Sequence, residues 1–198
     1  MTAPAEQRGR TLAITAMGLA CASASALAFF LHVLGWVQMP FFISFVGLPA
    51  ILLMVILGLY SWNRRLPFGR RCRAGLIAGL SGLLAYDLVR YAVYQSRLLD
   101  YDPFHAIALL GALITARPAT SQAAVLAGWL YHFWNGLSFA MIYALAVGPA
   151  RWQWGLAWAM ILEVGMLLSY PSVLAIRASG PFVGISLVGH LAYGAALG

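Results

Sequence analysis

Asp87, His132, Glu163 and His190 each fall near the middle of a different long apolar stretch, in a chain with only five acidic residues and four histidines. Two imidazoles and two carboxylates at a common depth could ligate a divalent metal, donate and accept protons in catalysis, or pass protons along a relay. A charge at the centre of a bilayer costs at least about 2.5–3.5 kcal/mol, so such residues normally face the interior of a helix bundle and find partners there.

Helical spacing surrounds each of the four differently. His132 has Asn135 at i+3 and Gly136 at i+4, and His190 has Ser186 at i−4, Tyr193 at i+3 and Gly194 at i+4. Glu163 has no cation within a turn, so another helix, a metal or a proton must meet its charge. Asp87 has Arg90 at i+3 and could be no more than half of a local structural pair. For the histidines the plain alternative is an interhelical hydrogen bond. For Glu163 it is a protonated acid bonded across helices.

As a metal site, His132, His190 and Glu163 would be the ligands for Zn, Fe or Mn, with Glu163 and Asp87 as acid/base groups. One ligand per helix carries no fingerprint such as HExxH, and no cysteine lies near enough for a thiolate site. Haem held by His132 and His190 ranks lower, because no attachment motif accompanies them. A second, outer group, Asp100, Asp102 and His105 around Pro103, reads first as a solvated turn capped by aspartate.

The elements that must hold these residues follow from composition. With 198 residues, 63% hydrophobic and 9% charged, and a mean hydropathy of +0.85, the chain is expected to be one integral-membrane, all-α domain spanning residues 1–198, with six or seven helices. The net charge of +7 comes from arginines between apolar runs and does not point to nucleic acid. Seven Trp, nine Tyr and ten Phe are mostly interfacial, although Trp129, Tyr131 and Trp134 surround His132. Cys21 and Cys72 are expected at different depths, without a disulfide.

Apolar runs predict helices over 11–36, retained rather than cleaved as a signal peptide, and over 41–61, kinked at Pro49. Further helices are predicted over 73–99, 104–116, 123–147, 152–176 and 181–198. The run over 104–116 is too short for a straight span. Charge favours its crossing rather than re-entering, because crossing collects more arginine on the side of the Arg64–Arg73 segment. That segment places the N-terminus in the cytoplasm, and the protein in a cell inner (plasma) membrane with several spans.

The segments Gly128-Trp-Leu-Tyr-His132…Phe139…Tyr143 and Gly189-His190-Leu-Ala-Tyr193-Gly194…Gly198 resemble a pattern in small uncharacterised bacterial inner-membrane proteins. The resemblance covers about the last seventy residues. It implies a membrane-embedded helical bundle and supplies no activity.

The leading functional expectation is a membrane-embedded metal-dependent enzyme acting on a lipophilic substrate. The alternative is a small proton- or ion-coupled transporter, with Glu163 carrying the coupling proton and Pro49 and Pro171 letting helices flex. A third reading is a non-catalytic subunit whose polar residues lock helices together. Expected partners are membrane lipid, a lipophilic small molecule or an ion, and either further copies of the chain or a larger membrane complex.

Overall fold

The computed structural model describes residues 3–98 and 101–198, with side chains from residue 7. Seven helices occur among them: α1 (Ala3–Val33), α2 (Met39–Asn63), α3 (Pro67–Gln95), α4 (His105–Thr115), α5 (Gln122–Ala146), α6 (Trp152–Val173) and α7 (Gly180–Leu197). No strand is present among the described residues. All but α4 and α5 contain a segment long and apolar enough to cross a membrane, which marks the chain as a membrane protein. In α5, Trp129, Tyr131, His132, Trp134 and Asn135 dilute the apolar content of a helix that has 25 residues.

Local chemistry explains the helix limits. Pro49 lacks an N–H and crowds the carbonyl four residues earlier, and the turn just before it, Ile43–Gly47, opens into a π-helix. The kink expected at Pro49 therefore takes the form of a π-segment. α3 begins at Pro67 rather than Arg73, because proline suits a first helical turn and buried Phe68 anchors that turn. Arg70, Arg71 and Arg73 thus stand on the helix, leaving Arg64–Leu66 as the connection. At α5, Ser121 Oγ accepts from Ala124 N–H, and at α7, Ser179 Oγ accepts from Phe182 N–H ahead of Pro181.

The chain groups into two compact units. The first comprises residues up to Ile77 together with Leu137–Pro149. Its core is Ile14, Leu57, Phe68 and Leu145, and Gly18 leaves space for the Phe68 ring. Arg71 donates to Leu145 O at 2.9 Å, placing a cation on the carbonyl end of α5. In lipid, apolar burial supplies little drive for association, so such polar contacts and close packing at small residues carry the assembly.

The second unit comprises Ala78–Gly136 and Ala150–Gly198. Glycines set its helix approaches: Gly82 receives the Tyr193 ring, Gly136 receives Leu83, and Gly155 and Gly194 lie against each other's backbone. Leu83 faces Gly136 while Asp87 faces His132, so α3 and α5 are antiparallel. Gly111 abuts the Ala124 carbonyl and Gly128 abuts that of Ile107, so α4 and α5 also form an antiparallel pair.

These two relations correct the reading in which residues 104–116 cross. α3 ends, and α5 begins, at the same end of this unit, and α4 runs back to that end from the level of Trp129. Its 11 residues reach only about 16 Å, roughly half of a bilayer core. Its inner tip is fixed by Arg90, which donates to Pro103 O. Loop arginine counts hold no information about such a tether.

Re-entry makes a topological prediction. In a Cys21→Ser, Cys72→Ser background, Arg97→Cys and Arg117→Cys should both react with a membrane-impermeant thiol reagent from the same side of the membrane. Labelling from opposite sides would show that α4 crosses.

Candidate functional site

The four singled-out residues all lie in the second unit, where they form two pairs. His132 Nε2 sits 3.0 Å from Asp87 Oδ2 and 3.2 Å from Oδ1. His190 Nδ1 sits 2.7 Å from Glu163 Oε2. Asp87 therefore does more than pair locally with Arg90, whose Nη1 is 3.5 Å away and makes the longer contact. The single cluster expected from Glu163, His132 and His190 is instead an α3–α5 pair and an α6–α7 pair.

Tyr86 stands between the pairs. Its ring centroid is 5.9 Å from that of His132 and 5.0 Å from that of His190, the latter edge-on. Arg90 caps the same ring at 4.5 Å and Phe104 at 5.4 Å. Gly189 makes this possible, because a Cβ there would strike both Arg90 and Tyr86. Trp129 packs edge-on against His132 at 5.6 Å, while Tyr131 and Trp134 pair with each other at 5.8 Å.

Hydrogen-bond geometry assigns the protons. His190 Nδ1 lies 3.1 Å from the Ser186 carbonyl oxygen, which can only accept, so Nδ1 carries hydrogen. The same N–H lies within reach of Glu163 Oε2, which also accepts from Ser186 Oγ at 2.5 Å. Glu163 is 3% exposed and its Oε1 is buried without a partner, so half of the carboxyl group is engaged and half is not. His132 Nε2 faces both oxygens of Asp87, so it is the protonated nitrogen of that ring.

The charges in this cluster close to zero. Arg90 is permanently cationic and Asp87, within reach of two donors, is its counter-charge. With Glu163 ionised and accepting from Ser186 Oγ and His190 Nδ1–H, the pair is neutral when His190 also carries hydrogen on Nε2, and His132 is neutral in the tautomer described. One added proton makes the cluster +1.

A cavity of about 40 Å³ adjoins both pairs. His132, Tyr86 and Arg90 line it directly, and Ser186 connects it to Glu163. One water needs about 10–15 Å³, so the space suits about three. Tyr101 and Pro103, from the connection before α4, close another wall. Burial pushes the Tyr101 hydroxyl above the usual phenol range, with Arg90 opposing and Asp102 and Tyr86 adding, so it is a donor at neutral pH.

Among the described residues, no three His, Cys, Asp or Glu side chains are grouped so as to hold a metal ion. Each imidazole already engages its own carboxylate, and a divalent site would have to draw the pairs together past Tyr86. Asp102 does cap a turn, accepting from Phe104 N–H at 2.9 Å, and Asp100 lies outside the described residues.

The sequence reading missed the reach of Arg90, Tyr86, Tyr101 and Ser186. Ser186 had a signal, its i−4 position from His190. Tyr86 and Tyr101 had none, because aromatic residues are common throughout the chain.

Ser186→Ala removes a hydrogen bond from a buried carboxyl group and should lower stability in detergent by about 1.5–3 kcal/mol if Glu163 is ionised. The loss should shrink in a Glu163→Gln background. Thermal unfolding of the four proteins in this double-mutant cycle measures the coupling.

No curated protein and no solved structure matches the chain. A family model matches residues 69–198, taking in the whole second unit and well beyond the last seventy residues. The chain therefore belongs to a family of unknown function, DUF6789.

Proposed function

We propose that this protein moves protons across a cell membrane coupled to a small solute or ion, with Glu163 and His190 as the proton carrier and Asp87–His132 as a second titratable pair. The observation carrying this reading is the 2.7 Å Nδ1–Oε2 contact, reached through Ser186 from a water-sized cavity. A proton can pass between such a donor and acceptor with little movement, and a buried ionisable residue within a membrane bundle commonly marks such a path.

The metal-dependent enzyme comes second. Its ligands would have to exchange partners, and a lipophilic substrate exceeds a cavity of about 40 Å³. A purely locking role would not call for a cavity beside the pairs.

Helix order with a re-entrant α4 collects Arg8, Arg10, Arg64, Arg65, Arg70, Arg71, Arg73 and Arg151 at one end, against Arg97, Arg117 and Arg177 at the other. The positive-inside bias thus supports an inner (plasma) membrane protein with a cytoplasmic N-terminus even without a crossing α4.

Purified protein in liposomes carrying a pH-sensitive dye should dissipate an imposed pH gradient. Glu163→Gln should reduce the rate at least tenfold, and His190→Gln should do the same, with both variants remaining folded by circular dichroism. Wild-type rates no higher than those of empty liposomes, across a panel of small solutes and ions, would overturn the proposal.

A further inference from the structure

We infer that the cavity beneath the α4 tip binds a small monovalent anion, of one to three heavy atoms, which enters with a proton. The inference rests on the proton-carrying reading and names the solute that accompanies the proton.

The wall of the cavity selects charge. Arg90 lines it, is 6% exposed, cannot lose its proton, and has a buried Nε without a partner. Nη1 makes only the 3.5 Å contact with Asp87, and Nη2 is taken by Pro103 O. Tyr101 adds a second donor, since its hydroxyl is also buried without a partner. A cation would meet a fixed like charge, whereas an anion meets two donors. Ala106, Ile107, Leu110, Phe182 and Ile185 form much of the remaining wall, an apolar lining that strengthens the attraction.

Size selects the ligand. About 40 Å³ admits chloride or formate and rejects an aromatic carboxylate. The organic and inorganic sources share one chemistry, a compact monovalent anion.

Charge balance couples the anion to protonation. With Arg90 and Asp87 compensating each other, the resting cluster is neutral, and one proton taken up by His132 or by Glu163–His190 makes room for one negative charge. The ionisable groups on the cavity wall or paired with it are Tyr86, Asp87 and Arg90 of α3 and Tyr101 of the connection, on which Asp102 acts in turn. The remainder are His132 of α5, Glu163 and Tyr170 of α6, and His190 of α7. Each proton that enters this cluster favours one anion, and each anion favours one proton, by linkage. Anion affinity is therefore expected to rise as pH falls.

The full chain in detergent should show a saturable rise in melting temperature with sodium chloride or sodium formate, at ionic strength held constant with sodium gluconate. The rise should be larger at pH 6 than at pH 8, and sodium benzoate should produce none. Tyr101→Phe should weaken the apparent affinity about tenfold, the worth of one hydrogen bond to a charged group. Arg90→Lys, which keeps the charge and loses the planar fork, should weaken it as well. If neither small anion produces a saturable shift, or if both variants respond as wild type does, the anion site is refuted. Proton flux that runs equally well in gluconate alone would refute the coupling while leaving the proton carrier intact. Absence of proton flux with every salt would instead remove the proton-carrying reading itself.

Discussion

Arg90 cannot shed its charge, and it is buried in a bundle of apolar helices. Much of the second unit can be read as the accommodation of that one guanidinium. Asp87, one turn earlier, supplies the counter-charge. Tyr86 and Phe104 supply aromatic faces. Gly189 supplies the space, and the Pro103 carbonyl is brought inward to accept a hydrogen bond. The last requirement bends the chain after α3 back into the unit and makes α4 a half-length helix.

Asp87 then has a second consequence. Having been drawn in by Arg90, it also holds His132 on α5, and so turns a structural ion pair into one end of a titratable array. Across the Tyr86 ring, Glu163 has no cation of its own and takes its partners from α7, where His190 and Ser186 are spaced one turn apart. The two pairs differ in kind. Asp87 is tied to a permanent charge, while Glu163 and His190 face each other at 2.7 Å with no permanent charge paired to either, and this is why the second pair is the one proposed to carry a proton.

What could be read from the residues alone was the class of fold and a count of six or seven helices, because each helix leaves a run in hydropathy. The demand of Glu163 for a partner on another helix was legible too, since no cation lies within a turn of it. The partner choice of His132 was not, because pairing across helices depends on rotation about each axis, and apolar helices that face both lipid and neighbours carry little periodicity to reveal it. The direction of α4 was misread for a related reason. Arginine counts weigh the loops, whereas the path of α4 is set by one hydrogen bond from a buried arginine to a backbone carbonyl, which has no signature in composition.

The central claim is that the histidines belong to separate pairs and engage their carboxylates through opposite ring nitrogens. Solid-state NMR of ¹⁵N-histidine-labelled protein in liposomes tests it directly. The account predicts protonated Nε2 on His132 and protonated Nδ1 on His190, with Asp87→Asn perturbing chiefly the former and Glu163→Gln chiefly the latter. An unprotonated Nδ1 on His190, or a Glu163→Gln change that shifts both rings equally, would contradict it.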